Sequence, residues 1–165
     1  MAGRQVTLKG NPFTLLGSEL NPGSAAPDFT LTGNDLKPVT LADTGSARRN
    51  FSVVPSLDTP GCDAQTRRFN EEADKLGGVK IYTVSCDLPF AQSRWCGAAG
   101  VESVVTASDY KDGSFGEAWG VMIDELRIHC RAVFAVNEHN TVTHVEYVPE
   151  VADHPNYDAV LAAVR

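Results

Sequence analysis

Between residues 51 and 85 the chain reads as a short apolar strand, a cysteine-bearing helix and a second apolar strand, and few folds accommodate that order. Phe51, Ser52, Val53 and Val54 make a run short enough for a buried strand, and Pro55-Ser56-Leu57-Asp58 breaks it as a loop. Cys62, Thr66, Phe69, Ala73 and Leu76 then recur at i, i+4, i+7, i+11 and i+14, one stripe of a helix that starts near Thr59 and stops at Gly77-Gly78. Val79 to Ser85 is the next strand. Strand, helix and strand with such short links form a parallel pair joined by a right-handed crossover, so the chain is expected in the α/β class.

A second helix opens at Pro89, a favourable first helical residue, and runs through Phe90, Trp95 and Cys96 to about Gly97. Further on, Arg131 to Val136 and Thr141 to Tyr147 flank the polar turn Asn137-Glu138-His139-Asn140 as an antiparallel hairpin, and a helix over 155–164 follows. At the other end, Val6 and Leu8 alternate on one side of Lys9-Gly10-Asn11-Pro12 and Phe13 and Leu15 on the other, an appended hairpin within residues 1–17. Residues 18–27 form a Gly, Pro and Ser-rich connection, followed by short strands at Phe29 to Leu31 and Val39 to Leu41. The 165 residues are read as one domain, long enough to bury roughly 70% of the surface of the unfolded chain. A βαβ unit, an intervening helical segment and a terminal ββα unit is the order of a thioredoxin-like domain, which does not by itself settle function.

Four cysteines in a chain of this size are too few for a disulfide framework and read as reduced thiols with separate fates. A net charge of −7 argues against a nucleic-acid partner, and Arg67-Arg68 reads as a solvated helix face. The N-terminus lacks the apolar stretch of a secretory signal, and no run approaches the ~20 apolar residues of a membrane span, so a cytoplasmic protein without membrane contact is expected. His129, His139, His144 and His154 show no H-x-x-x-H pair and no two cysteines have C-x-x-C spacing, so neither a metal nor another cofactor is expected.

The chemistry concentrates at Cys62. Thr59 is a favoured N-cap, Pro60 suits the first helical position, and Cys62 falls at the third, in the turn whose backbone N–H groups lack intrahelical partners. Those donors and the helix dipole favour an anion, here a thiolate, while the neighbouring Asp63 carboxylate opposes it. The apolar stripe directs the sulfur into a pocket. A thiolate there can attack a peroxide oxygen, with Gly61 N–H, Cys62 N–H, the Thr59 hydroxyl and one arginine as donors to the departing charge. An inert buried thiol is the alternative that composition alone would favour, and the capped first turn argues against it.

Pro55-Ser56-Leu57-Asp58-Thr59-Pro60-Gly61-Cys62 resembles the P-x-x-x-T-x-x-C signature of peroxiredoxins. Ser85-Cys86-Asp87-Leu88-Pro89-Phe90-Ala91-Gln92 and the following Cys96 resemble the S-x-D-L-P-F-A-Q segment ending in cysteine of the thiol peroxidase subfamily, the atypical two-cysteine peroxiredoxins. The resemblance covers essentially the whole chain. It implies that Cys62 is the peroxidatic thiol and Cys96 the resolving one, with Pro55, Thr59 and Arg131 lining the peroxide pocket. It also implies a thioredoxin-fold homodimer that reduces hydrogen peroxide and alkyl hydroperoxides and is recycled by thioredoxin. Two departures stand out: Gly61 occupies a position where a branched apolar residue is usual, and residues 124–130 are more polar than the family's version.

Cys62 and Cys96 lie 34 positions apart, on successive helices, and a disulfide needs their Cα atoms within ~7 Å, so local unwinding is expected. Gln92, Cys96 and Ala99 share a flank that would leave Cys96 accessible, whereas Cys86 and Cys130 read as packing residues. A one-cysteine peroxidase, or a thioredoxin-like redox sensor or binding module without turnover, are the competing readings.

Overall fold

The computed structural model describes residues 4–73, 75–100 and 104–164, apart from the side chain of Ala73, so that member of the helical stripe lies outside the described residues. Strands β1 (Arg4–Leu8) and β2 (Asn11–Leu15) form the expected N-terminal hairpin, with Val6 opposite Phe13. Lys9 and Gly10 make its turn with φ of 51° and 82°, the positive pair whose twist matches that of the flanking strands.

Strands β3 (Thr30–Gly33), β4 (Pro38–Thr40), β5 (Arg48–Val53), β6 (Val79–Ser85) and β7 (Val104–Ser108) belong to the main sheet. With β8 (Met122–Ile123) and β9 (Ile128–His129) pairing elsewhere, β10 (Ala132–Val136) and β11 (Val142–Tyr147) complete it in the order β11-β10-β5-β6-β7-β3-β4. The central β5, β6 and β7 run parallel, and the outer pairs are antiparallel. Helix α1 (Pro60–Ala73) makes the crossover from β5 to β6, and α2 (Pro89–Ala99) the one from β6 to β7. Helix α3 (Ser114–Ala118) precedes β8, and α4 (Tyr157–Val164) closes the chain. Among the described residues no helix is long and apolar enough to cross a membrane.

The parallel crossover, the 132–147 hairpin and the terminal helix stand where the apolar pattern puts them. What the pattern does not show is β7, α3 and the two-residue strands β8 and β9, which join the N-terminal hairpin in a second sheet of order β1-β2-β8-β9. The central strand β5 also begins earlier than its apolar run, because Arg49 is fully buried and donates to the carbonyls of Ala47 and Asn137 and to Thr44 Oγ1. Side chains from the two faces of the sheet fill separate cores. Phe29, Phe51, Phe115, Trp119 and Phe134 pack ring against ring on one side, and Phe69, Ile81, Val133, Val160 and Leu161 lie beneath α1 and α4 on the other.

The flank of α2 is a correction. Gln92 is fully buried and donates through Nε2 to Ser85 Oγ and to the Ala107 carbonyl, both at 3.0 Å, so the Gln92, Cys96 and Ala99 side of the helix packs toward the sheet. A polar amide does this because the strand ends offer it acceptors. Cys96 is left half-buried at the rim.

Candidate active site

The loop after β5 and the start of α1 are held by one carboxylate. Asp87, just past β6, accepts hydrogen bonds from Leu57 N–H at 2.8 Å, Ser56 Oγ at 2.7 Å and Ser85 Oγ at 2.8 Å. This ties residues 55–58 to the neighbouring strand and fixes where the helix begins. Thr59 caps that helix: its Oγ1 accepts from Cys62 N–H at 3.3 Å and donates to the Ser56 carbonyl at 3.1 Å. The cap therefore occupies two of the groups expected to serve as free donors to a departing oxygen, Cys62 N–H and the Thr59 hydroxyl.

The cation nearest the sulfur comes from the opposite end of the chain. Arg131, two per cent exposed, leads into β10 and donates through Nη2 to Cys62 Sγ at 3.3 Å, through Nη1 to Gln65 Oε1 at 2.7 Å and through Nε to the Val151 carbonyl at 2.8 Å. Gln65, also fully buried, is held in turn by donating to Ser52 Oγ at 2.6 Å. One planar guanidinium thus has all its orientations fixed by three partners. Gly61 permits this approach, since a Cβ there would stand 2.9 Å from Arg131 Nη2. Gln65 went unnoticed in the sequence because it lies off the apolar stripe, and only its burial between α1 and β5 reveals it.

Pro55, Thr59, Gly61 and Arg131 line a single cavity of about 450 Å³ whose apolar wall includes Ile128 and Val151. Cys62 itself is fully buried and not part of the cavity lining, packed with Val54, Leu57 and Trp95. The sulfur is closer to the interior than the apolar stripe suggests, and Arg131, which lines the cavity, also contacts the sulfur. Asp63 is balanced by a salt bridge to Arg67 at 2.9 Å and accepts a hydrogen bond from Trp95 Nε1 at 3.0 Å, so its charge is spent on α1 and α2.

Cys96 faces another opening, a groove of about 460 Å³ lined also by Asn34 and Thr106. Its Sγ lies 3.7 Å from Thr106 Oγ1, which donates to Asn34 Oδ1 at 3.0 Å. Burial pushes the Cys96 thiol up, and the contact with Thr106 only partly offsets this. Both thiols are reduced, one sealed under the start of α1 and the other on the far side of α2. Cys130 is buried, and desolvation pushes its thiol up to about 12.

Among the described residues one cluster brings together three groups capable of holding a metal ion: Cys86, Asp109 and His129. His129 Nε2 and Asp109 Oδ2 are hydrogen-bonded to each other at 2.8 Å, and the cluster offers three ligand side chains rather than four. That is too few for a closed site. No sequence motif announces this cluster, because its members lie on three separate elements.

The family model described as Redoxin matches residues 21–161. The thiol peroxidase of Halalkalibacterium halodurans is 56% identical over 160 residues, covering 97% of this chain and 96% of that protein. The thiol peroxidase of Bacillus subtilis is 53% identical over 161 residues, covering 98% and 96%. Among solved structures, a peroxiredoxin-like protein from Aquifex aeolicus superposes with a TM-score of 0.91 at 39% identity, covering 98% of this chain and 96% of that one. The thiol peroxidase from Chromobacterium violaceum, at 18% identity, shares the fold with a TM-score of 0.89, covering 97% and 95%.

Proposed function

The chain belongs to the redoxin family, with a thioredoxin-like fold, and on that footing we propose that it is a thiol peroxidase whose Cys62 reduces hydroperoxides. The observation that carries this reading is the 3.3 Å contact of Arg131 Nη2 with Cys62 Sγ in the capped first turn of α1. The guanidinium stabilises a thiolate before reaction and the oxygen's charge during it. The sulfur attacks one peroxide oxygen, the O–O bond breaks, the other oxygen leaves as water or alcohol with a proton, and Cys62 becomes a sulfenic acid.

Cys96 then attacks the Cys62 sulfur, water leaves, and an intramolecular disulfide forms. The burial of Cys62 and the position of Cys96 beyond α2 support a step in which the start of α1, or α2, opens to bring the sulfurs together. An external dithiol, thioredoxin in this reading, returns both thiols to the reduced state. Hydrogen peroxide and alkyl hydroperoxides are the proposed substrates, and the apolar wall of Ile128 and Val151 favours accepting an alkyl group. A homodimer in the cytoplasm completes the reading, the dimer supported by Leu36, Leu88 and Phe90 standing at least half exposed.

The test is a coupled assay with thioredoxin, its reductase and either hydrogen peroxide or a bulky alkyl hydroperoxide. The parent should consume many equivalents of peroxide, and Cys62→Ser should consume none while keeping its fold by circular dichroism. Stoichiometric oxidation without turnover would instead make the protein a redox sensor, and turnover in Cys62→Ser would remove Cys62 from its role.

A further inference from the structure

The peroxidase chemistry leaves Cys86, His129 and Asp109 unused. Cys86 follows the end of β6, His129 ends β9, and Asp109 follows β7, so the ends of two paired strands of the main sheet and of a strand from the second sheet bring their side chains together. The sulfur, a ring nitrogen and a carboxylate oxygen all lie within 4.8 Å of one another. Asp109 is almost fully buried and is fixed by accepting from Phe115 N–H at 3.1 Å and Gly116 N–H at 2.8 Å. Its Oδ2 also accepts from His129 Nε2 at 2.8 Å, an arrangement that orients the ring.

His129 is fully buried, and among the described residues its Nδ1 makes no aligned hydrogen bond. The ring lies within 4.8 Å of the Cys86 sulfur. Burial alone would keep the imidazole neutral, but the Asp109 hydrogen bond and the adjacent Cys86 outweigh it and push the ring up to about 9. The buried ring thus has both the Asp109 carboxylate and the Cys86 sulfur as close neighbours.

Unlike Cys130, Cys86 is only half-buried. It opens onto a surface cavity of about 240 Å³ that Lys111, Arg127 and Asp112 also line, two cations against one carboxylate. We propose that Cys86, His129 and Asp109 form a thiol, imidazole and carboxylate triad that makes Cys86 a second reactive thiol, open to mixed-disulfide formation with a small carboxylate-bearing thiol.

The exchange balances without further reagents. With the shared proton held on the His129 ring, the Cys86 sulfur attacks one sulfur of a small disulfide, R–S–S–R. The Cys86–S bond forms, the S–S bond breaks, and the departing R–S⁻ takes the proton from the His129 ring to leave as R–SH. Asp109 acts through His129 as a positioning group, as the third member does in other nucleophile and base pairs.

The test uses the full chain carrying Cys62→Ser, so that its outcome is independent of the peroxidase reading. The reduced protein is exposed at pH 7 to oxidised glutathione or to the neutral hydroxyethyl disulfide, and each cysteine is followed by peptide mass spectrometry. Cys86 should acquire glutathione at least about tenfold faster than in a further His129→Gln variant, with Asp109→Asn between the two. Cys130 should stay unmodified throughout. Direction separates chemistry from packing: loosened packing speeds reaction at both Cys86 and Cys130, whereas loss of the imidazole slows Cys86 alone. Where a variant fails to fold, the folded Cys62→Ser chain is compared with the same chain in urea, and Cys86 should react faster folded. Equal rates at Cys86 with and without His129, or a folded rate no greater than the unfolded one, would overturn the triad. Equal rates with the two disulfides would overturn the choice of a carboxylate-bearing partner.

Discussion

Replacing Arg131 by lysine keeps the charge and removes the geometry, so it isolates what the planar guanidinium contributes. In the parent, three nitrogens reach three different acceptors: Val151 O at 2.8 Å, Gln65 Oε1 at 2.7 Å and Cys62 Sγ at 3.3 Å. A single ammonium cannot stand in all three places. If it satisfies one acceptor, two are left in a region where Arg131 itself is only two per cent exposed. Each abandoned buried acceptor costs about 1–3 kcal/mol, so Arg131→Lys should lose roughly 2–6 kcal/mol of stability.

The kinetic effect follows from the same loss. A donor aimed at developing charge is worth about 10²–10³ in rate when removed, and because lysine retains the charge the expected slowing of Cys62 oxidation is about 10²-fold. Stopped-flow tryptophan fluorescence is suited to the measurement, since Trp95 packs against the cluster containing Cys62. Urea unfolding of the reduced protein gives the stability arm. Oxidation within about threefold of the parent, a difference below 1 kcal/mol, would refute the view that orientation rather than charge matters here.

The Asp87 carboxylate holds Leu57 N–H and the hydroxyls of Ser56 and Ser85, so Asp87→Ala should destabilise the protein by about 2–4 kcal/mol and slow Cys62 oxidation, as read by urea midpoint and stopped flow. Trp95→Phe removes the Nε1 donor that ties α2 to Asp63 on α1, a bond worth about 1 kcal/mol. Hydrogen exchange over residues 89–99 should rise in the reduced form, and the Cys62 to Cys96 disulfide should form about fivefold faster after oxidation. His129 has a raised value of about 9 against an ordinary 6.5, so the stability it contributes is fully present below 6.5 and is lost as pH climbs through 9. Denaturant midpoints of the reduced protein should therefore fall across that window, and His129→Gln should flatten the fall.

Much of this protein is legible along the chain because the determining interactions are local. The first turn of α1 needs only Thr59, Pro60 and Cys62 at the right spacing, and the cap bond from Cys62 N–H to Thr59 Oγ1 forms among neighbours. The parallel crossover is likewise written in the alternation of apolar strand, striped helix and apolar strand between residues 51 and 85. Strand β7 and the short β8 and β9 carry no comparable pattern. Their pairing is decided by strands already in place, as where Leu15 of the N-terminal hairpin meets Ile123.

The site divides in the same way. Local spacing is enough to single out Cys62 as the proposed reacting group, but the partners that orient Arg131 come from residues 65 and 151, and the sealing of the sulfur under Trp95 depends on how α2 packs beside α1. Gln65 and Gln92 are polar residues that hydropathy assigns to solvent, yet both are fully buried because strand residues present acceptors to them. Cys86, Asp109 and His129 have no spacing in common and become neighbours only when β6, β7 and β9 end in the same region. A helix cap is settled by bonds among adjacent residues, whereas a cluster drawn from three strand ends exists only once the sheets have assembled around it.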